Sequence, residues 1–194
     1  MKYLIADNLS SLTESQLEVM LEALPVWRRN RVLRFKHFKG RAQSTQAFVL
    51  LQQLMVEEYG ISSIPEFTYN EHGKPYFSSL KHIHFNMSHC SNAVICAVDR
   101  NPVGVDIEQV GRFSESLARH VLNDEEYLAV VKSSSPDVAF IRFWTQKESL
   151  VKLTGAGIRD NMKNILLPEF RQNIQISTTE CLEKGYVYSI ATCR

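Results

Sequence analysis

The chain has 194 residues, 44% of them hydrophobic and 22% charged, with 22 Lys and Arg against 21 Asp and Glu. That length buries the core of one ordinary domain or two small ones, and the composition excludes wholesale disorder, collagen-like repeats and low-complexity sequence. A net charge of +1 gives no global case for a nucleic-acid binder or an acidic tail. No stretch approaches the about 18 consecutive apolar residues of a spanning helix. The opening apolar run, Tyr3 to Ala6, is cut at once by Asp7 and is not a secretory signal. The expectation is a cytoplasmic protein with no membrane contact. Cys90, Cys96, Cys181 and Cys193 form no C-x-x-C and no zinc-finger spacing, so they read as reduced thiols.

In chain order, Tyr3–Ala6 predicts a short strand. Thr13 with Gln16 forms a capping-box pattern, and Leu17, Met20, Leu21 and Leu24 follow at helical spacing. Pro25 suits the first turn of another short helix. From Pro25 to Val56 there is no acid, while Arg28, Arg29, Arg31, Arg34, Lys36, Lys39 and Arg41 crowd together. Such a cluster is either a solvated helix face or a place where an anion sits. Ala47, Leu50, Leu51 and Leu54 share one face of a long helix that stops near Gly60. Runs at 66–70, 82–87, 93–98 and 103–107 predict strands. Asn123 with Glu126 caps a helix through Val131. Ser135 and Pro136 open the next, which ends at Thr154 before Gly155 and Gly157. Strands at 173–177 and 186–192 complete the chain. Each half runs helices then strands, with the division near Asp99–Pro102. The fold class expected is α+β, as residues 1–99 and 100–194.

Four local patterns carry chemistry. In Gly104-Val105-Asp106-Ile107-Glu108 a strand turns Asp106 and Glu108 to one face and Val105 and Ile107 to the core. Adjacent carboxylates repel unless protonated or bridged, and a hard divalent cation is one remedy; two solvated acids on an exposed strand is the other reading. In Trp144-Thr145-Gln146-Lys147-Glu148-Ser149, with Lys152 following, Glu148 and Lys152 share one helix face. They are either an ordinary surface ion pair or an acid and a cation serving phosphate chemistry. His84-Phe85-Asn86-Met87-Ser88-His89 buries Phe85 and Met87 and ends in a hydroxyl and an imidazole, a polar cap or a phosphate contact. Gly73-Lys74-Pro75 is a turn that leaves a lysine exposed. No Walker loop, dinucleotide fingerprint or G-x-S-x-G elbow occurs.

These pieces, in this order, resemble the 4'-phosphopantetheinyl transferase superfamily, in its surfactin-synthetase-activating (Sfp-type) branch. The motifs are Gly73-Lys74-Pro75, Phe85-Asn86-Met87-Ser88-His89, Gly104-Val105-Asp106-Ile107-Glu108 and Trp144-x-x-Lys147-Glu148-Ser149-x-x-Lys152 with Gly155-x-Gly157, spanning Arg28 to Ile158. The resemblance implies two similar α+β halves packed as a pseudo-dimer in one chain, with coenzyme A in the cleft between them. It implies transfer of the phosphopantetheine arm of coenzyme A to a serine of an acyl or peptidyl carrier protein, releasing adenosine 3',5'-bisphosphate. By the same resemblance Asp106, Glu108 and Glu148 are Mg²⁺ carboxylates, with Mn²⁺ an alternative, and Glu148 is also the candidate base. Lys152 stabilises the pyrophosphate or protonates the leaving phosphate, and Lys147 is a further phosphate contact. Ser88 and His89 touch the coenzyme A phosphates, Lys74 and Pro75 line the adenine end, and Arg28 and Arg31 hold the ribose 3'-phosphate. A basic residue of the pattern is replaced by Gln43, with Arg41 nearby as a substitute. The segment 112–131, with Arg119, is the expected carrier surface.

Short acyl-carrier-protein synthases are about half this length and trimeric, whereas a two-half chain implies a monomer. A degenerate binding module without turnover is opposed by the presence of all three acids and Lys152. A nucleic-acid module rests only on residues 28–41, which lack interleaved stacking aromatics.

Overall fold

The computed structural model describes residues 1–157 and 162–194; Ile158, the last residue of the resemblance, lies outside them. The elements run β1 (Lys2–Ala6), α1 (Glu14–Glu22), α2 (Val26–Val32), α3 (Phe38–Tyr59), β2 (Thr68–Tyr69), β3 (Pro75–Tyr76), β4 (His84–His89), β5 (Val94–Asp99) and β6 (Val103–Gln109). They continue with α4 (Glu115–Val121), α5 (Asp124–Val131), α6 (Pro136–Thr154), β7 (Ile174–Cys181) and β8 (Tyr186–Cys193). This is a mixed α and β architecture of small antiparallel sheets. One sheet has the order β1-β5-β4, another β6-β8-β7, and β2 pairs with β3 alone.

Local signals set the helix ends. Thr13 and Gln16 cap α1 reciprocally, as do Asn123 and Glu126 for α5, each satisfying two orphan donors of a first turn. Gly60 and Gly155 take the left-handed conformation that ends α3 and α6. Pro25 sits one residue outside α2 as its N-cap. Two elements lie beyond the sequence expectation. The run at 66–70 narrows to β2, which pairs with β3 across the Gly73 turn, and α4 starts where Ser114 accepts the N–H of Leu117.

The core is divided by one strand. β5 is buried on both sides, so its alternation splits the apolar residues between two clusters. Val94, Cys96 and Val98 face α3, with Phe48, Leu51, Leu54 and Phe85. Ile95 and Ala97 face Val103, Val105 and Ile107 of β6 and Tyr186, Tyr188 and Ile190 of β8. A third cluster joins α4, α5 and the start of α6 around Leu122, Val130 and Phe140.

β4 departs from the expected alternation. Phe85 is buried as anticipated, but Asn86 and Ser88 on the opposite face are buried too, while Met87 is only half-buried. The cause is β6, which lies beside β4 in a different sheet. Asn86 Oδ1 accepts the N–H of Val105 at 2.9 Å, so a side chain supplies the bond a neighbouring strand would otherwise give. Asn86→Leu should strand that buried N–H and lower stability by about 1–3 kcal/mol in denaturant unfolding. An unchanged midpoint would show that the bond carries no weight.

Candidate active site

Asp106, Glu108 and Gly104 alternate along β6 on the side away from Val103, Val105 and Ile107. The glycine sets the distance to the helix above. A Cβ on Gly104 would lie 2.0 Å from the carbonyl oxygen of Ser149 and 2.3 Å from the amide nitrogen of Leu153. Helix α6 therefore rests directly on β6, which no side chain at position 104 would allow. On its other contacts α6 is pinned by Thr145 Oγ1, 2.8 Å from Ser189 Oγ, and by Gln146, whose amide donates to Thr178 Oγ1 at 3.0 Å. Ser189 pairs with Asp106 across the ladder, so the clamp and the acid share one rung.

This close seat brings Lys152 onto the acids. Its Nζ donates to Asp106 Oδ1 at 2.6 Å and to Ser88 Oγ at 2.8 Å, and Ser88 in turn donates to Asp106 Oδ1 at 2.8 Å. Asp106 is 1% exposed. Its second oxygen, Oδ2, and Oε1 of Glu148 are buried with no hydrogen-bond partner among the described residues. Burial and then the Asp106 charge push the Glu148 carboxyl above its usual range. The same two causes push Glu108 up to about 7, against the indole N–H of Trp144, which lies 3.4 Å from Glu108 Oε1. Three acids thus share one ammonium, and two of their buried oxygens are unsatisfied.

A cleft of about 240 Å³ opens beside this cluster, lined by Lys74, Pro75, Met87, Lys152, Gly155 and Gly157 among others. Lys74 Nζ donates to the carbonyl of Leu153 at 2.9 Å, at the C-terminal end of α6, and burial lowers its pKa to about 8. Asn70 ties the same corner together: Oδ1 accepts the N–H groups of His72 and Lys74, and Nδ2 donates to the Gly155 carbonyl at 2.9 Å. The His89 imidazole is held below the usual histidine range, first by desolvation and then by the Lys152 ammonium. The surroundings suit an anion that can meet Lys152 and Lys74, with acids beside it that favour a shared cation.

Whether the acids fit a divalent metal turns on the donor set. Among the described residues no three His, Cys, Asp or Glu side chains already converge as a finished cage. Mg²⁺ does not need one, because it keeps waters and substrate phosphates beside one or two carboxylates. The unsatisfied oxygens of Asp106 and Glu148 and the mutual repulsion of the three acids are what a hard cation would relieve. The donors fit.

Comparison with known proteins gives the family. Residues 102–191 match the model of the 4'-phosphopantetheinyl transferase superfamily. The 4'-phosphopantetheinyl transferase gsp of Aneurinibacillus migulanus is 31% identical over 161 residues, 73% of this chain and 67% of that protein. The chain belongs to the 4'-phosphopantetheinyl transferase superfamily. The transferase Sfp of Bacillus subtilis (strain 168) is 29% identical over 195 residues, 92% of this chain and 86% of that one. The HetI transferase of Nostoc sp. (strain PCC 7120 / SAG 25.82 / UTEX 2576) is 30% identical over 154 residues, 75% and 65% of the two chains.

In this transferase Asp106, Glu108, Glu148, Lys152, Ser88 and His89 gather at one place, and Lys74 and Pro75 line the adjoining cleft. Arg28 and Arg31 lie apart from that lining. The Arg28 guanidinium turns inward, donating to the backbone and hydroxyl oxygens of Ser44 at 2.7 and 2.8 Å over the rings of Phe48 and Phe67. Arg31 stacks on Tyr69 at 4.5 Å, in a hollow of about 160 Å³ with Trp27 and Arg34. Gln43 is buried, its amide donating to the Cys90 carbonyl at 2.6 Å, so it anchors the end of β4 to α3.

Lys147 corrects the sequence expectation. It is fully buried and points away from the acids. Its ammonium meets Glu126 Oε2 at 2.8 Å and the carbonyls of Met162 and Lys163 at 2.7 and 3.0 Å. It does not reach the cleft, because consecutive helix residues diverge by about 100° and Glu148 takes the side that faces β6. Asn86, Asn70 and Glu126 are the supporting residues that sequence reasoning missed. Asn86 left a trace as a polar residue inside an apolar strand, and Glu126 as the capping-box residue of α5, but neither signal pointed to the site.

Among the described residues, no helix is long and apolar enough to cross a membrane.

Proposed function

We propose that this transferase moves the 4'-phosphopantetheine arm of coenzyme A to a serine of an acyl or peptidyl carrier protein, with Mg²⁺, releasing adenosine 3',5'-bisphosphate. The observation that carries the reading is the Lys152 ammonium bridging Asp106 and Ser88 at the wall of a cleft, beside two further acids. Asp106, Glu108 and Glu148 would hold the metal. Bound there, it would neutralise charge on the pyrophosphate, as would Mn²⁺, which suits the same oxygen donors.

The chain's own groups account for the proton and the leaving group. Glu148, with a buried unpartnered oxygen, accepts the proton of the carrier serine. The serine oxygen then bonds to the phosphorus that bears the pantetheine. The bond from that phosphorus to the bridging oxygen breaks, and its electron pair leaves on adenosine 3',5'-bisphosphate. Lys152 stabilises that charge or protonates the leaving phosphate. Ser88 and His89 hold phosphate oxygens, and Lys74 and Pro75 border the adenine end. For the 3'-phosphate the cations are Arg28 and Arg31, with Arg41 in place of the residue that Gln43 displaces. Among the described residues the Nε atoms of Arg28 and Arg41 are buried without a hydrogen-bond partner, and for Arg28 to meet the phosphate its guanidinium would have to leave Ser44.

The two three-stranded sheets, one within residues 1–99 and one within 100–194, support the pseudo-dimer reading with coenzyme A between its halves. The proposed enzyme is a cytoplasmic monomer. The segment 112–131, with Leu117 and Leu128 exposed, is the proposed carrier surface. Chromatography of the released nucleotide tests the reaction. Adenosine 3',5'-bisphosphate should appear only when coenzyme A, apo carrier and divalent metal are all present, and EDTA should stop it. Release without the carrier would mean hydrolysis and would remove the transfer reading.

A further inference from the structure

Lys147 sits one residue before Glu148, carries no exposed surface, and spends its ammonium on three acceptors from two other segments. Glu126 is the N3 residue of α5, and its Oε2 also accepts the N–H of Asn123 at 3.0 Å. The two carbonyls belong to residues 162 and 163, beyond the end of α6. One ammonium therefore ties the middle of α6 to the start of α5 and to the returning chain. Across the helix, Gly104 lets α6 seat on β6, and Thr145 and Gln146 fasten it to Ser189 and Thr178. Those contacts hold α6 from the sheet side alone. Lys147 holds it from the opposite side, at the turn that carries Glu148.

We propose that Lys147 is a positioning residue of the transfer site: clamped by Glu126 and the 162 and 163 carbonyls, it fixes the rotation and height of α6 so that Glu148 faces Asp106. It touches no phosphate. The inference rests on the transferase reading above and assigns its supporting shell. Supporting residues of this kind typically cost about 10–100-fold in activity when removed.

The test uses the full chain with apo carrier at saturation and coenzyme A varied, comparing Lys147→Met with the pair Lys147→Met/Glu126→Gln. The glutamine keeps the α5 capping box and removes the buried unpaired charge, so the pair folds where the single variant fails. The expected result is a kcat about 10–100-fold lower in whichever variants fold, with the KM for coenzyme A within about twofold. The pair should regain most of the unfolding temperature that the single variant loses and still keep the low kcat, because the two carbonyls remain unheld. An unchanged kcat, a loss confined to the KM for coenzyme A, or recovery of kcat together with the unfolding temperature would overturn the proposal. Absence of transfer by the wild-type chain would instead remove the reading on which it rests.

Discussion

Glu148→Gln is expected to lower phosphopantetheine transfer by about 10²–10⁴-fold while coenzyme A affinity stays within about threefold. Glutamine keeps the size of the side chain and a hydrogen-bonding end, so α6 keeps its seat on β6. It removes the group that takes the serine proton and one of three negative charges. Asp106 and Lys152 remain at 2.6 Å, so the pyrophosphate contact is retained. Single-turnover mass assays and calorimetry on the same sample read the two quantities. Wild-type turnover in this variant would remove Glu148 from the chemistry, and a parallel loss of coenzyme A affinity would make it a binding residue only.

Gly104→Ala should have the second largest effect, although it touches no substrate. The new methyl would need space now held by the Ser149 carbonyl and the Leu153 amide, both backbone atoms that cannot rotate away. The helix must lift or the strand must bow. Overpacking of this kind costs about 1–3 kcal/mol. The larger consequence is geometric: Lys152 and Glu148 ride on α6, Asp106 and Glu108 on β6, and displacement by about 1 Å can cost about 10²-fold. The variant should fold, unfold at a lower denaturant concentration, and lose transfer far beyond its loss of folded fraction. Full activity in a folded Gly104→Ala would show that the seat of α6 is not what aligns the acids.

The D-x-E alternation on β6 and the four-residue step from Glu148 to Lys152 are local, so periodicity alone fixes which side chains share a face. Capping boxes at Thr13 and Asn123 and the glycines ending α3 and α6 are local as well, and the helix boundaries follow them. The place of Lys147 is hidden for the complementary reason. Its partners are a capping residue 21 positions upstream and two carbonyls 15 and 16 positions downstream, and no spacing rule links them. The inward turn of Arg28 depends on Phe67, which reaches it only through the tertiary fold. The two-residue pairing of β2 with β3 is too short to leave a periodic signal, yet through Asn70 it fastens Lys74 to the end of α6.

Intact-mass spectrometry tests the proposed transfer of phosphopantetheine to a carrier serine, on an apo acyl or peptidyl carrier protein incubated with the chain, coenzyme A and Mg²⁺. The expected result is a gain of one phosphopantetheine on the carrier, absent with EDTA and absent when the acceptor serine is replaced by alanine. A carrier mass that stays unchanged across acyl and peptidyl carriers, with coenzyme A binding confirmed in the same solution, would contradict it and leave a protein that binds the cofactor without transferring its arm.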